Sequence, residues 1–260
     1  MPPLLLVHGM WSRPAAFATL IAELKAVGID CRAPALPFHD LPPGSPAPVG
    51  LARLGLADYA AAIRAEVLAC PARPVLLGHS MGGLIVQQVA ADVGAAGLIL
   101  VATAPSATAL VPSLSQARAL SGITLSWGWW KRPTLLDAAA ARNAVYNGVP
   151  EAETAPAIGD LTWDSGRVLA QISAPFLDGS RGSRVDYARL TMPALVIYGL
   201  KDRIATRGTS RATARQLPGR VDYEEWPDAG HWFFHDALRP RLAQRIARFM
   251  GSLGSGPTGP

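Results

Sequence analysis

Residues 74–93 constrain the fold of this 260-residue chain more than any other stretch. The run VLLGHSMG at 75–82 passes from apolar strand-type residues straight into a pattern with apolar residues at helical spacing. A strand that turns into a helix without a spacer needs small residues on both sides of the turn, and Gly78 and Gly82 supply them. Ser80 is then exposed at the end of the strand and the start of the helix, in the strained geometry called a nucleophile elbow. The alternative interpretation is a glycine-rich turn with an ordinary serine, but it does not account for the flanking strand and helix.

Strand-like and helix-like segments alternate along most of the chain. The strand-like segments are apolar without the every-second-residue alternation of a half-exposed strand, which is typical of a parallel sheet covered on both faces. The alternation with helices predicts the same α/β fold class, with helices on both sides of a mostly parallel sheet. Predicted strands lie at 4–7, 30–36, 75–77, 97–102, 194–198 and 221–226, and predicted helices at 14–27, 56–69, 83–93 and 238–250.

Between residues 104 and 190 the alternation stops. This stretch contains short helical patterns near 114–120, 135–146 and 165–172, and it holds Trp127, Trp129, Trp130 and Trp163. Because no crossover between neighbouring strands needs so long a connection, we expect an inserted helical cap at 104–190. The core then consists of residues 1–103 and 191–250, and GSLGSGPTGP at 251–260 predicts a flexible tail.

Composition excludes several classes of function. The chain has 24 Lys and Arg against 19 Asp and Glu, but the arginines are scattered, without the basic and aromatic runs that bind nucleic acid. No apolar run reaches the ~18 residues of a membrane span, and the amino-terminal apolar run lacks the basic region of a secretory signal. Cys31 and Cys70 lack ligand spacing, so we expect free thiols, no metal site and a cytoplasmic location.

Ser80 needs a base to remove its proton before it can act as a nucleophile. His231 is the candidate, because the run DAGHW at 228–232 lies between the last predicted strand and the last predicted helix. The carboxyl ends of parallel strands meet at one edge of a sheet, so we expect His231 and Ser80 at the same edge. Among the other histidines, His79 should point away from the Ser80 side chain, His8 and His39 belong to other loops, and His235 is expected at a helix start or the surface.

A catalytic histidine needs a carboxylate that fixes its tautomer and stabilises its charged form. Asp202 ends the run GLKD at 199–202, which leaves a predicted strand at the same edge of the sheet. Asp228 is the rival acid, but it is so close to His231 in sequence that a local turn role is the better interpretation.

The negative oxygen that forms during acyl transfer needs two hydrogen-bond donors. The backbone N–H of Met81, directly after the nucleophile, is one of them. The other is expected from the loop after the first strand, where Gly9 allows the backbone to approach closely. We choose the N–H of Met10, with that of Trp11 as the alternative.

Four motifs in this order resemble the α/β-hydrolase superfamily: HGMW at 8–11, GHSMGG at 78–83, YGLKD at 198–202 and AGHW at 229–232. The resemblance spans residues 3–250 and implies a triad in the chain order Ser80, Asp202, His231. The first two strands of many members are absent here. The resemblance therefore implies a six-stranded sheet, as in the compact branch similar to plant esterases and hydroxynitrile lyases.

The resemblance leaves several chemistries to choose from. Ser80 argues against haloalkane dehalogenases and epoxide hydrolases, which have an aspartate at this position. Trp232 argues against hydroxynitrile lyases, which have a lysine directly after the catalytic histidine. We therefore expect a cofactor-free serine esterase for a small or medium, largely apolar ester, with no other partner and no indication of oligomeric state. Lactonase, thioesterase, C–C hydrolase of the meta-cleavage type and small-molecule receptor remain open. The candidate substrate contacts are Trp11, Trp129, Trp130 and Trp232.

Overall fold

A fully parallel, six-stranded sheet forms the centre of the protein, in a computed structural model that describes residues 1–254. The order of its strands is β2-β1-β3-β4-β7-β8, and the short strands β5 and β6 form a separate antiparallel pair. This arrangement confirms the predicted α/β class and six-stranded sheet. The strands are β1 (Leu4–Val7), β2 (Cys31–Arg32), β3 (Val75–His79), β4 (Gly97–Val101), β5 (Pro133–Thr134), β6 (Asp164–Ser165), β7 (Ala194–Gly199) and β8 (Val221–Trp226).

Helices cover both faces of the sheet. Alternate residues of β1 point to opposite faces: Leu5 and Val7 pack in the core with α2 and α3, whereas Leu4 and Leu6 pack with α1 and α9. The helices are α1 (Ala18–Ala26), α2 (Leu56–Leu68), α3 (Met81–Val93), α4 (Leu114–Thr124), α5 (Ala138–Ala140) with a π-helical turn (Ala141–Val145), α6 (Glu151–Gly159), α7 (Gly166–Ser173), α8 (Arg207–Gln216) and α9 (Arg239–Gly254).

Strand β2 and helix α9 differ most in length from the predictions. Strand β2 has only two residues, because Pro34 has no N–H to continue the ladder with β1. Helix α9 continues to Gly254, so residues 251–254 belong to that helix and not to a tail. Residues 255–260, the rest of the predicted tail, lie outside the described residues. No helix within residues 1–254 has both the length and the apolar character needed to cross a membrane.

The segment between β4 and β7 contains α4 to α7 and the β5–β6 pair. Helix α7 packs on the core, where Val168 and Ile172 join the cluster of α2 and α3. The Oε1 atom of Gln171 accepts a hydrogen bond from the backbone N–H of Leu56 at the start of α2, at 2.8 Å. The proposed cap is therefore tied to the core by both apolar and polar contacts.

The order of the strands creates a crevice at one edge of the sheet. The chain passes from β1 to β2 on one side and then to β3 on the other side of β1. The loops that follow β1 and β3 therefore diverge, which is where ligands bind in open α/β sheets. Val7 lies opposite Gly78 in the register of these strands. Gly9 and Ser80, two residues further along each strand, meet at this crevice.

Candidate active site

Ser80 lies in the sharp turn between β3 and α3. Its φ of 53° and ψ of −122° are strained for a residue with a side chain. A Cβ added at Gly78 would collide with the backbone of Gly82, and one added at Gly82 would collide with the carbonyl oxygen of Val7. The turn therefore needs glycine at both positions, and it exposes Ser80 at the crevice.

His231 and Asp202 form a hydrogen-bonded pair beside this turn. The Nδ1 atom of His231 is 2.8 Å from Oδ2 of Asp202, and the Asp202 side chain is fully buried. The other carboxylate oxygen accepts the N–H groups of Ile204 and Ala205, at 2.7 and 2.9 Å. Since the carboxylate can only accept, Nδ1 of His231 carries a proton and the neutral ring has its lone pair on Nε2.

Asp228, the rival acid, is not paired with a histidine. It forms an exposed salt bridge with Arg241, with 3.2 Å between the nitrogen and the oxygen. The geometry therefore favours Asp202 as the partner of His231.

His79 supports the backbone of His231. The Nε2–H group of His79 donates to the carbonyl oxygen of His231 at 2.9 Å, and the two rings are 4.8 Å apart. Burial and the neighbouring His231 ring hold the pKa of His79 well below its usual value. His79 is therefore a neutral hydrogen-bond donor that fixes the loop carrying His231. Sequence patterns could not reveal this role, because the two residues are 152 positions apart.

The two candidate oxyanion donors in the loop after β1 differ in whether their N–H groups already have a hydrogen-bond acceptor. The N–H of Trp11 donates to Oδ2 of Asp164 at 3.2 Å, whereas the N–H of Met10 has no acceptor within residues 1–254. The carbonyl oxygen of Gly9 accepts from Nδ1–H of His8 at 3.0 Å, on the opposite side of the same planar peptide unit. A Cβ on Gly9 would lie 2.9 Å from Cβ of Ser80. The geometry therefore favours Met10 over Trp11.

The N–H of Met81 is the other predicted donor. It is the first residue of α3, and its N–H has no hydrogen-bond acceptor within the part of the chain that the structure describes. The orphan N–H groups at a helix start are suited to a negative oxygen. Met10 and Met81 both lie beside Ser80 in the lining of one cavity.

Two small cavities adjoin Ser80. Cavity A, of about 30 Å³, contacts both Ser80 and His231, and Trp11 and Trp232 also line it. Cavity B, of about 40 Å³, contacts Ser80 and Met81 on the side of α3. Most of the remaining walls are apolar residues for which the sequence carries no distinguishing signal: Leu136, Val145, Tyr146 and Leu161 in cavity A, Leu120, Leu169 and Ile172 in cavity B, and Ile204 in both.

Trp129 and Trp130 lie elsewhere, so the expectation that they contact substrate over Ser80 is not met. They line a separate cavity of about 330 Å³, together with Arg167 and Leu177. Trp129 packs against an apolar cluster that includes Trp11 and Leu169, and the rings of Trp129 and Trp130 are 6.0 Å apart. Adjacent residues point in different directions, and neither side chain lines cavity A or cavity B.

Comparison with known proteins places the sequence in one family. Residues 4–244 match the description "Alpha/beta hydrolase family". A pimeloyl-[acyl-carrier protein] methyl ester esterase of Chromobacterium violaceum is 29% identical over 235 residues, which cover 88% of this chain and 87% of that protein.

Solved structures of low sequence identity share the fold. A pyrethroid hydrolase from Sphingobium faniae JZ-2 superposes with a TM-score of 0.72 at 23% identity, over 95% of this chain and 96% of the other. A methylesterase from Arabidopsis superposes with a TM-score of 0.72 at 16% identity, over 96% and 99% of the two chains.

Proposed function

We propose that this chain, which belongs to the α/β hydrolase family, is a carboxylic ester hydrolase that acts through an acyl-enzyme on Ser80. One observation carries the proposal: His231, which is paired with Asp202 at 2.8 Å, lines the same cavity as a serine in a strained elbow. A histidine held in this tautomer can accept the proton of a neighbouring hydroxyl.

The proposed reaction has two halves. In the first, Nε2 of His231 removes the proton of Ser80 while Oγ attacks the ester carbonyl carbon, and the N–H groups of Met10 and Met81 stabilise the negative oxygen. The protonated histidine then gives its proton to the departing alcohol, and the C–O bond of the ester breaks. In the second half, His231 activates a water that attacks the acyl-enzyme, which releases the acid and restores Ser80.

The walls of the cavities support an uncharged, largely apolar ester. Among the described residues that line cavities A and B there is no Asp, Glu, Lys or Arg. A charged group beside the scissile bond would therefore lose its hydration without gaining an ion partner. The small volumes favour a short group on at least one side of the ester. The names of the similar proteins, which include a methyl ester esterase and a methylesterase, agree with that size.

A substrate panel tests this proposal. Purified protein is assayed with acetate, butyrate and octanoate esters, matched thioesters, a lactone and a vinylogous diketone, with Ser80→Ala as control. We expect multiple turnovers on a short ester, none in the control, and a single phosphonate adduct on Ser80. Turnover of the diketone alone would indicate C–C hydrolysis. One slow turnover with ligand-dependent melting shifts would indicate a receptor. Either result would overturn the esterase proposal.

A further inference from the structure

A fully buried carboxylate lies directly behind the loop that follows β1. Asp164, in β6, accepts four hydrogen bonds and is completely shielded from solvent. Oδ2 accepts from the N–H of Trp11 at 3.2 Å and faces Nε2 of His39 at 3.2 Å. Oδ1 accepts from the hydroxyl of Tyr59 at 2.8 Å and from the N–H of Ser165 at 2.7 Å. Each oxygen is thus fully used.

His39 carries the positive charge that balances this carboxylate. Its Nδ1 atom is 2.9 Å from the carbonyl oxygen of Pro37, which can only accept, so both ring nitrogens must be donors. Burial alone would lower the pKa of His39, but the charge and hydrogen bond of Asp164 outweigh it and raise that pKa. Burial would likewise raise the pKa of Asp164, but His39 and Tyr59 outweigh it and lower that pKa. The pair is therefore ionic.

The carboxylate holds Trp11 in an unfavourable conformation. Trp11 has a φ of 56°, which a residue with a large side chain adopts only when its surroundings enforce it. Three contacts do so, all from residues of the cap: its N–H donates to Asp164, its carbonyl accepts from the N–H of Thr162 at 2.9 Å, and its indole N–H donates to Thr134 at 3.3 Å. The loop and the cap therefore form one assembly.

We propose that Asp164 is a positioning residue for ester hydrolysis, a cap carboxylate that holds the N–H of Trp11 away from Ser80 and thereby presents the N–H of Met10 to the oxyanion. This inference rests on the proposed function. Met10 and Trp11 share a peptide unit, so a fixed direction for the Trp11 N–H also fixes the carbonyl of Met10 and the path of the loop.

Replacing Asp164 by asparagine separates this role from simple filling of space. An asparagine has one accepting oxygen and one donating NH₂ group of the same shape. Tyr59 and His39 can each adapt by accepting a hydrogen bond from the NH₂ group, but the backbone N–H groups of Trp11 and Ser165 cannot. If the NH₂ group faces His39, Trp11 loses its acceptor. The opposite orientation would leave the N–H of Ser165 without one and break the shorter contact, which is 2.7 Å against 3.2 Å for Trp11. We therefore expect the orientation that removes the acceptor of Trp11.

Kinetics provide the first test. Asp164→Asn is expected to lower kcat by about 10- to 100-fold, less than the 10²–10³ measured when an oxyanion donor itself is removed. KM for the same ester is expected to change by less than about threefold. The affinity for a trifluoromethyl ketone, whose adduct carries a negative oxygen, should fall in parallel with kcat/KM.

The matched control is Asp178→Asn, the same exchange elsewhere in the cap. Asp178 accepts hydrogen bonds from the N–H groups of Ser180 and Gly182, and within residues 1–254 it has none with the loop after β1. We expect it to leave kcat within about twofold of the wild type. If Asp164→Asn retains the wild-type kcat and ketone affinity, the positioning role is wrong. If Asp164→Asn does not fold, the double variant His39→Gln with Asp164→Asn is assayed in its place, because it removes both buried charges together.

Amide exchange provides a test that does not depend on ester turnover. With ¹⁵N-labelled tryptophan, the N–H of Trp11 should exchange slowly in the wild type and in Asp178→Asn, and at least about tenfold faster in the Asp164 variant. Rapid exchange in the wild type would by itself overturn the inference. An inactive wild type with a protected Trp11 amide would contradict the proposed function while leaving the contact with Asp164 intact. Activity with equal exchange in all variants would contradict only the role of Asp164.

Discussion

Hydrogen bonds hold His231 at its Nδ1 atom and its backbone carbonyl oxygen, so the Nε2 atom remains for proton transfer. Nδ1 donates to Asp202, and the backbone carbonyl accepts from His79 at 2.9 Å. His79 and the side chain of Asp202 are both buried, so water does not compete for these two hydrogen bonds. The remaining nitrogen, Nε2, belongs to a side chain that shares cavity A with Ser80. At the scale of single residues, these contacts therefore fix His231 and leave the lone pair of its Nε2 atom as the proton acceptor.

Substitutions at these residues have ranked outcomes. Ser80→Ala or His231→Ala should lower kcat by roughly 10⁴ or more without unfolding the protein, because the three residues act as a unit. Asp202→Asn should cost somewhat less. Asp228→Asn should change kcat by less than about threefold, since it removes only an exposed pair with Arg241. Steady-state kinetics with a short ester measures the ranking. A greater loss from Asp228→Asn than from Asp202→Asn would reverse the assignment of the acid.

Acyl-chain preference should respond to cavity B and not to the tryptophans of the cap. Leu169 lines cavity B, so Leu169→Ala should enlarge it and raise kcat/KM for butyrate relative to acetate by about tenfold. Trp130, in the separate cavity, is the control, and Trp130→Ala should leave that ratio within about twofold. A larger change of the ratio in the Trp130 variant would restore that tryptophan as a substrate contact.

The candidate catalytic residues were easier to predict than the residues that contact them. Ser80, Asp202 and His231 each belong to a motif that follows a strand, so the edge of the sheet indicates where they lie. The hydrogen bonds that Asp164 accepts from Trp11 and His39 join residues 153 and 125 positions apart. No period or spacing relates them, because such pairs are set by the tertiary packing of the cap.

Helices α4, α5 and α7 lie at the helical patterns near 114–120, 135–146 and 165–172, whereas α6 and the β5–β6 pair were not predicted. Helix α6 contains Pro156 in its interior, and a sequence pattern treats such a proline as a helix breaker. The strands β5 and β6 have two residues each, too few for any periodicity. Both strands contact Trp11, through Asp164 of β6 and Thr134 of β5.

The glycine at position 82 of the elbow turn allows a prediction about the stability of a single element. Gly82→Ala should destabilise the fold by roughly 3 kcal/mol, because the added Cβ collides with the carbonyl oxygen of Val7 in β1. The control is Gly159→Ala, in α6, where an added Cβ meets no atom within 4 Å. That change should be neutral or stabilise by about 0.5–1 kcal/mol. Urea unfolding measures the stability of both variants. Equal stability would contradict the close packing of the elbow turn against β1.

Stability of the whole molecule should fall in acid. Burial, followed by the charge of His39, lowers the pKa of His8 to about 3, and the pKa of His79 is also low. The unfolded chain then binds more protons than the folded one below the unfolded histidine pKa of about 6.5, so acid favours unfolding. His39 has the opposite sign, since its raised pKa gives stability that is present below about 6.5 and lost as the pH rises through its folded value.

Burial also lowers the pKa of His235, so three histidines oppose one. The free energy of unfolding should therefore drop by at least roughly 2–3 kcal/mol between about pH 7.5 and 4.5. Urea titrations at the two pH values measure the change. Stability that is equal or higher at the acid value would mean that His8 and His79 are not buried in their neutral forms.

The whole molecule joins loops from β1, β3, β7 and β8 at one edge of the sheet, under the segment between β4 and β7. The order of the motifs predicted this edge, because each loop follows a strand that the apolar pattern identifies. The shape of the cavities could not be predicted in the same way. Ile204, Leu136 and Leu169 are ordinary apolar residues in the sequence, and only the tertiary structure brings them to the cavities beside Ser80.

Direct detection of the acyl-enzyme tests the central claim. The protein is mixed with a nitrophenyl butyrate ester, quenched at short times and examined by intact mass spectrometry and peptide mapping. We predict one butyryl group on the peptide that contains Ser80, formed with a burst of nitrophenol, decaying as butyrate appears and absent from Ser80→Ala. Butyrate release that continues in Ser80→Ala at the wild-type rate, or a butyryl group on another residue, would contradict a serine hydrolase acting through Ser80.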